Sequence, residues 1–170
     1  CRILLVKAHS VINYDVQQRK ELAEISVNNV KYVSWSSNGQ YLALLSKHTI
    51  TIADKDLELI TSMHETIRIK SAAWDDTGVL LYSTLNHIKY TLLNGDNGII
   101  KTLENTLYIT KVQGNLIYCL NRQGQVETIT IDPTEYRFKR ALVNKNFGEV
   151  LRLIKNSTLV GQNIIGYLQK

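Results

Sequence analysis

Over most of the chain, apolar and polar residues follow one another in short runs of strand length, bounded by polar turns. The clearest is Thr49-Ile50-Thr51-Ile52, which alternates with period two, as a strand with one buried face does. Arg2–Val6, Val11–Val16 and Leu22–Val27 predict three strands, divided by Ala8-His9-Ser10 and by Gln17-Gln18-Arg19-Lys20. Residues 28–63 predict four: Lys31–Trp35, Tyr41–Ser46, Thr49–Ala53 and Leu57–Thr61. Asn38-Gly39 supplies the first hairpin turn, because both residue types tolerate positive φ. Residues 67–103 repeat the plan with Arg68–Trp74, Val79–Thr84, His87–Leu92 and Ile99–Leu103. A further copy begins at Thr106 and adds Leu116–Leu120 and Val126–Ile131.

At Asp132 the period changes. Asp132-Pro133-Thr134-Glu135 reads as a helix start, with Asp132 as cap and Pro133, the only proline, at the first helical position. Phe138, Ala141 and Leu142 line one face of that helix. Asn146-Phe147-Gly148-Glu149 predicts a second start, after which Phe147, Val150, Leu151 and Ile154 recur at helical spacing. A third helix is expected after Ser157-Thr158, with Val160, Ile164, Ile165 and Leu168 on one side.

The strand-rich part repeats itself. Trp35 and Trp74, Gly39 and Gly78, and His48 and His87 are each 39 positions apart. A period near 40 with a strand–turn–strand texture predicts β-propeller blades. The expected fold is therefore a set of all-β propeller blades, WD40-like with degenerate repeats, followed by α-helices opening an α-solenoid. The boundaries are 1–131 for a partial propeller and 132–170 for the first solenoid helices. Three short amphipathic helices cannot bury their stripes alone and need the propeller or further helices. The leading blade shows three strands, its first one missing. With no initiator Met, and Cys1 entering directly into an apolar run, the chain reads as a piece of a longer polypeptide.

Composition and charge narrow the function classes. The net charge of +5 lies in the tail: residues 134–170 hold seven Lys/Arg against two acids, whereas residues 1–133 balance thirteen against thirteen. Two readings fit, a solvated helical face or a basic surface meeting an acidic partner or anionic membrane. No aromatic stacking strip accompanies the bases, which argues against nucleic-acid binding. No apolar stretch approaches a membrane span of roughly 20 residues. Cys1 and Cys119 make no Cys-x-x-Cys, so a disulfide framework or structural zinc is not expected and a reducing compartment fits.

Catalytic signals are sparse, and no catalytic, cofactor-binding, metal-binding or other binding residue is assigned. His48 and His87 share a repeat position, which suits a repeated structural tie through a ring nitrogen. His64-Glu65 lacks the second histidine of a zinc-protease helix. Adjacent Asp75 and Asp76 lie in a turn and make no acid/base pair. Gly95-Asp96-Asn97-Gly98 lacks the lysine and length of a phosphate loop. Cys119 reads as a small core residue. Trp35 and Trp74 are both expected in the core, where burying ~150–250 Å² each contributes about 4–6 kcal/mol.

Several segments resemble the coatomer α-subunit family. They include Val30-Lys31-Tyr32-Val33-Ser34-Trp35-Ser36, His64-Glu65-Thr66-Ile67-Arg68-Ile69-Lys70-Ser71, Asn86-His87-Ile88-Lys89-Tyr90 and Gly95-Asp96-Asn97-Gly98-Ile99-Ile100. Ile131-Asp132-Pro133-Thr134-Glu135-Tyr136-Arg137-Phe138-Lys139 and Leu159-Val160-Gly161-Gln162-Asn163-Ile164-Ile165-Gly166-Tyr167-Leu168-Gln169-Lys170 continue it, so the likeness runs over essentially the whole chain. The resemblance implies the last blades of a second propeller and the start of a solenoid. It further implies a non-catalytic scaffold of the cytosolic coat in Golgi-to-endoplasmic-reticulum and intra-Golgi transport, peripheral to Golgi and vesicle membranes, with the coatomer β′ and ε subunits as partners. Dilysine cargo recognition belongs, by the same resemblance, to a first propeller absent from this chain. The Trp-Asp ending of a typical WD repeat is also absent. The alternative function is a propeller-type module that binds peptides of a cargo or regulator.

Overall fold

The computed structural model describes residues 1–156 of the chain. Two compact units divide it, residues 1–131 and 132–170. The third expected helix, at 157–170, lies outside the described residues.

The first unit is a succession of four antiparallel sheets, each a simple meander. β1 (Arg2–Val6), β2 (Val11–Asp15) and β3 (Lys20–Ile25) form the first. β4 (Tyr32–Trp35), β5 (Tyr41–Leu45), β6 (Thr49–Asp54) and β7 (Leu59–His64) form the second. β8 (Ser71–Trp74), β9 (Leu80–Ser83), β10 (His87–Thr91) and β11 (Asn97–Thr102) form the third. β12 (Tyr108–Gln113), β13 (Leu116–Leu120) and β14 (Val126–Thr130) form the fourth. The propeller-blade reading holds.

The alternation along β5 builds the core. Leu42 and Leu44 pack with Val11, Ile25, Ala53 and Leu57 at the boundary of the first and second sheets. Ala43 and Leu45 point the other way, joining Ile50, Ile52, Trp74, Leu80 and Tyr82 at the boundary of the second and third. A strand buried on both faces reads as a continuous apolar run, which is why Leu42-Ala43-Leu44-Leu45 shows no polar break. Polar bonds stitch the boundaries. Ile109 donates its backbone N–H to Ser71 Oγ at 2.7 Å, and Thr106 Oγ1 donates to the Leu85 carbonyl at 3.0 Å.

Turn chemistry shifts two expected strand starts. β7 begins at Leu59 rather than Leu57, because Leu57 takes φ 62° inside a tight turn. There Asp54 Oδ1 accepts the N–H groups of Asp56 and Glu58, both at 2.9 Å. β11 begins at Asn97, so Asn97-Gly98 is strand and not turn. Gly98 faces Tyr90, and a Cβ there would fall 2.7 Å from the tyrosine ring.

Trp35 departs from its expected place. Trp74 is buried at 7% exposure, but Trp35 is 44% exposed and is not core in this structure. Its strand has a neighbour on the third-sheet side, whereas the first sheet places no innermost strand opposite it.

In the second unit, α1 (Thr134–Val143) and α2 (Phe147–Asn156) pack through Phe138, Ala141 and Val150, with Leu142 and Leu153 at the edge. Helix α1 starts one residue later than expected, with Pro133 at the cap position. Asp132 Oδ1 still serves the helix start, accepting both the backbone N–H (3.0 Å) and the hydroxyl of Thr134. The turn is a Schellman motif: Asn146 N–H reaches the Ala141 carbonyl (2.9 Å) and Lys145 N–H that of Leu142 (3.0 Å). Asn146 Oδ1 then caps α2 through the Glu149 N–H at 3.3 Å. The expected α2 stripe splits. Val150 turns inward, while Phe147 (63%) and Leu151 (58%) are exposed.

Candidate functional site

The residues that looked most like chemistry serve local structure. Asp75 sits at the end of β8 and is buried. Its Oδ1 accepts the N–H groups of Thr77 and Val79, each at 2.9 Å, and its carboxylate also takes the Thr77 hydroxyl. Asp76 beside it is exposed. The two carboxylates share no site.

His48 makes the tie that its repeat position suggested, since its Nδ1 lies 3.2 Å from the Glu65 carbonyl. Glu65 returns a backbone N–H to the His48 carbonyl at 2.7 Å. The ring of His87, one repeat later, makes no such bond among the described residues.

Glu65 is the centre of a largely buried ion pair. It lies between β7 and β8, and its side chain enters the third sheet. Its Oε1 accepts the Tyr82 hydroxyl at 2.6 Å and the Lys89 ammonium at 2.5 Å. Lys89 also lies over the Tyr82 ring, 5.9 Å from its centroid. Register explains the meeting, because Tyr82 on β9 and Lys89 on β10 are direct cross-strand partners. Burial pushes the Glu65 carboxyl up, but the Lys89 and Tyr82 hydrogen bonds outweigh it, and the group ends below the ordinary carboxylate range. Burial, reinforced by Glu65, raises the Tyr82 hydroxyl above its ordinary value. Through this one oxygen the carboxylate acts as a clasp between sheets. Sequence reading passed over Glu65 because it looked only for a zinc motif. Glu65 and Glu104 occupy the same repeat position, which is the signal that marks it.

Cys119 is buried as expected, and burial together with Glu127 pushes its thiol up to about 11. A thiol so raised stays protonated and is a poor nucleophile at neutral pH. Among the described residues, no group of three or more His, Cys, Asp or Glu is placed to hold a metal ion. No helix among them is long and apolar enough to cross a membrane.

Two surface cavities of about 440 Å³ each open where successive sheets meet. Asn28, Asn29, Lys47 and His48 line one, at the first and second sheets. Asn86, Glu104, Arg122 and Glu127 line the other, at the third and fourth. Glu104 thus faces open space where Glu65 meets Lys89.

Comparison with known proteins agrees with this architecture. The family profile described as COPA/B second beta-propeller matches residues 1–121. Coatomer subunit alpha of Saccharomyces cerevisiae (strain ATCC 204508 / S288c) is 75% identical over 168 residues, covering 99% of this chain and 14% of that protein. Coatomer subunit alpha-1 of Arabidopsis thaliana is 56% identical over 160 residues, covering 94% of this chain and 13% of the relative. The chain therefore spans about a seventh of the length of these relatives. Among solved structures, the computationally designed Ika4 protein superposes with a TM-score of 0.60 at 10% identity, over 77% of this chain and 86% of that one. KlHsv2 with loop 6CD replaced by a Gly-Ser linker gives 0.58 at 14% identity, over 74% and 47%. These two likenesses speak to fold alone. With successive meanders of three or four strands, a 39-residue step and a profile match across nearly the whole first unit, the chain belongs to the COPA/B second β-propeller family.

Proposed function

We propose that this chain is a non-catalytic scaffold segment of a coatomer α subunit, working in the coat of vesicles that move from Golgi to endoplasmic reticulum and within the Golgi. The single observation that carries this reading is the 75% identity to coatomer subunit alpha across 99% of the chain. The mechanism is geometric: a stack of blades passes into helices that open a solenoid, and repeated contacts between such units make a lattice. The polar groups support a structural role, since Asp75 and Glu65 accept internal hydrogen bonds. In this reading the partners are other coat subunits, β′ and ε in particular, and the site of action is the cytosolic face of Golgi and vesicle membranes. Phe138 and Leu142 pack against α2, so Leu142→Asp is expected to disturb the helical pair and impair coat assembly while leaving the blades folded.

The test is affinity purification of the full-length polypeptide with mass spectrometry of what accompanies it. Recovery of the other coat subunits in near-equal amounts is expected. Recovery alone or with unrelated proteins overturns the reading. A second reading, a peptide-binding module, is favoured by the cavity in which Glu104 and Glu127 face open space beside Arg122. Binding isotherms with basic and acidic peptides separate the two.

A further inference from the structure

Strand register relates the Glu65 clasp to a matching position one sheet earlier. Val33, Leu44 and Thr51 step across the second sheet as Ala72, Tyr82 and Lys89 step across the third. Val33 and Ala72 are 39 positions apart, and Leu44 faces the first sheet as Tyr82 faces the second. Ser26 matches Glu65, because each directly follows the last strand of one sheet and stands six positions before the first strand of the next. The row Glu65, Tyr82, Lys89 at the second and third sheets is therefore Ser26, Leu44, Thr51 at the first and second. The acid, the phenol and the ammonium are all replaced, and a cavity of about 440 Å³ opens there. Ser26, Lys47, His48, Thr51 and Ser62 line it together with Leu59, and no Asp or Glu is among its lining residues. None of the lining residues belongs to β1 or β2. The cavity at the third and fourth sheets differs, since it holds Glu104 and Glu127. Thr51 is 4% exposed, and its hydroxyl makes no hydrogen bond among the described residues. It is the cross-strand partner of Ser62, so the two hydroxyls share one face. A buried hydroxyl without a partner costs stability in the free protein, and it is a group that a ligand can satisfy.

We propose that this cavity binds an acidic side chain, the carboxylate of an Asp or Glu on an exposed segment of a partner protein. That carboxylate takes, at the first and second sheets, the position that Glu65 supplies from within at the second and third. Thr51 and Ser62 donate their hydroxyls to it, and Lys47 provides the positive charge that Lys89 provides to Glu65. Hydrogen bonds donated to an ionised acceptor are the stronger kind. Two observations choose a carboxylate. The wall offers hydroxyl and amide donors and a cation, with no acid of its own to compete. The same molecule shows the occupied arrangement one sheet on, where Glu65 accepts from Tyr82 and Lys89. The occupant comes from a partner because Ser26, at the matching linker position, has no carboxylate to supply. The inference goes beyond the coat reading and does not rest on it.

The experiment is chemical labelling of the purified full-length polypeptide, with acylation of Lys47 and carbethoxylation of His48 read by mass spectrometry and His87 as the control. The probes are the end-blocked peptides Leu-Glu-Leu and Leu-Gln-Leu, and inorganic phosphate, each titrated into the millimolar range. Leu-Glu-Leu is expected to slow both reactions several-fold with His87 unchanged, and Leu-Gln-Leu to leave them as they are. Two variants address the same site. Thr51→Val removes the hydroxyl, and the peptide's protection is expected to weaken several-fold while the melting temperature stays equal or rises. Ser26→Glu supplies a carboxylate from within, as Glu65 does, and is expected to slow both reactions without any peptide. Equal protection by the two peptides overturns the proposal, and so does protection by neither. Protection by inorganic phosphate without protection by Leu-Glu-Leu also overturns it, because the ligand is then a phosphoryl group. A lowered melting temperature in Thr51→Val assigns the hydroxyl to stability and counts against the site.

Discussion

Trp74 Nε1 donates to the Ser34 carbonyl at 2.9 Å, tying the third sheet to the second through one side chain and one backbone group. Tyr41 stacks on the same indole at a centroid distance of 6.3 Å. Trp74→Ala removes a buried aromatic and leaves a carbonyl unpaired, so a loss of about 3–5 kcal/mol is expected. Trp35→Ala removes a half-exposed ring and costs less, about 1–2 kcal/mol. Thermal unfolding of the two variants checks the order, and equal shifts would contradict it.

The Glu65 clasp makes stability sensitive to acid. Its folded carboxyl lies below the ordinary value of 4.5, so its contribution is fully present above that pH and is lost as pH falls through the lowered folded value. Breaking the pair from one side, as in Glu65→Ala, leaves Lys89 poorly compensated and is expected to cost about 3 kcal/mol at neutral pH. Denaturant midpoints measured from neutral to acidic pH check both points, and Glu65→Gln is expected to flatten the acid limb.

Gly98 is held by the ring across from it. Adding one methyl group in Gly98→Ala forces Tyr90 or β11 to move, because the added carbon would meet the ring at 2.7 Å. Overpacking of this kind costs about 1–3 kcal/mol. Combining Gly98→Ala with Tyr90→Ala is expected to cost less than the sum of the two, as a double-mutant cycle would read.

Lys145 sits in the turn that follows α1 with φ 56°, a conformation a side chain enters at a cost of about 1 kcal/mol. Lys145→Gly is expected to stabilise the second unit by about 0.5 kcal/mol, net of the extra entropy glycine loses on folding. Lys145→Val is expected to do the reverse. Chemical denaturation followed by the helical circular-dichroism signal tests the sign.

The meanders were legible because β-branched alternation and Gly turns are local. Arg2–Val6 and Leu116–Leu120 coincide with their strands to the residue. The late start of β7 is a turn effect. Leu57 looks apolar enough for a strand, but the Asp54 side chain gathers the following amides into a turn first. Trp35 was misread for a different reason. A repeat position reports which way a side chain points, and the strand that buries it belongs to the neighbouring sheet. The Glu65–Tyr82–Lys89 meeting was invisible for the same reason, since it spans 24 residues and depends on register.

The double-faced burial of β5 bears on how the first unit comes apart. Leu42 and Leu44 serve one neighbour while Ala43 and Leu45 serve the other. Removing the second sheet therefore uncovers two apolar faces at once, one on each neighbour. Its opening is coupled to both flanking sheets and not to one alone, and its amides should exchange only when those contacts are lost together.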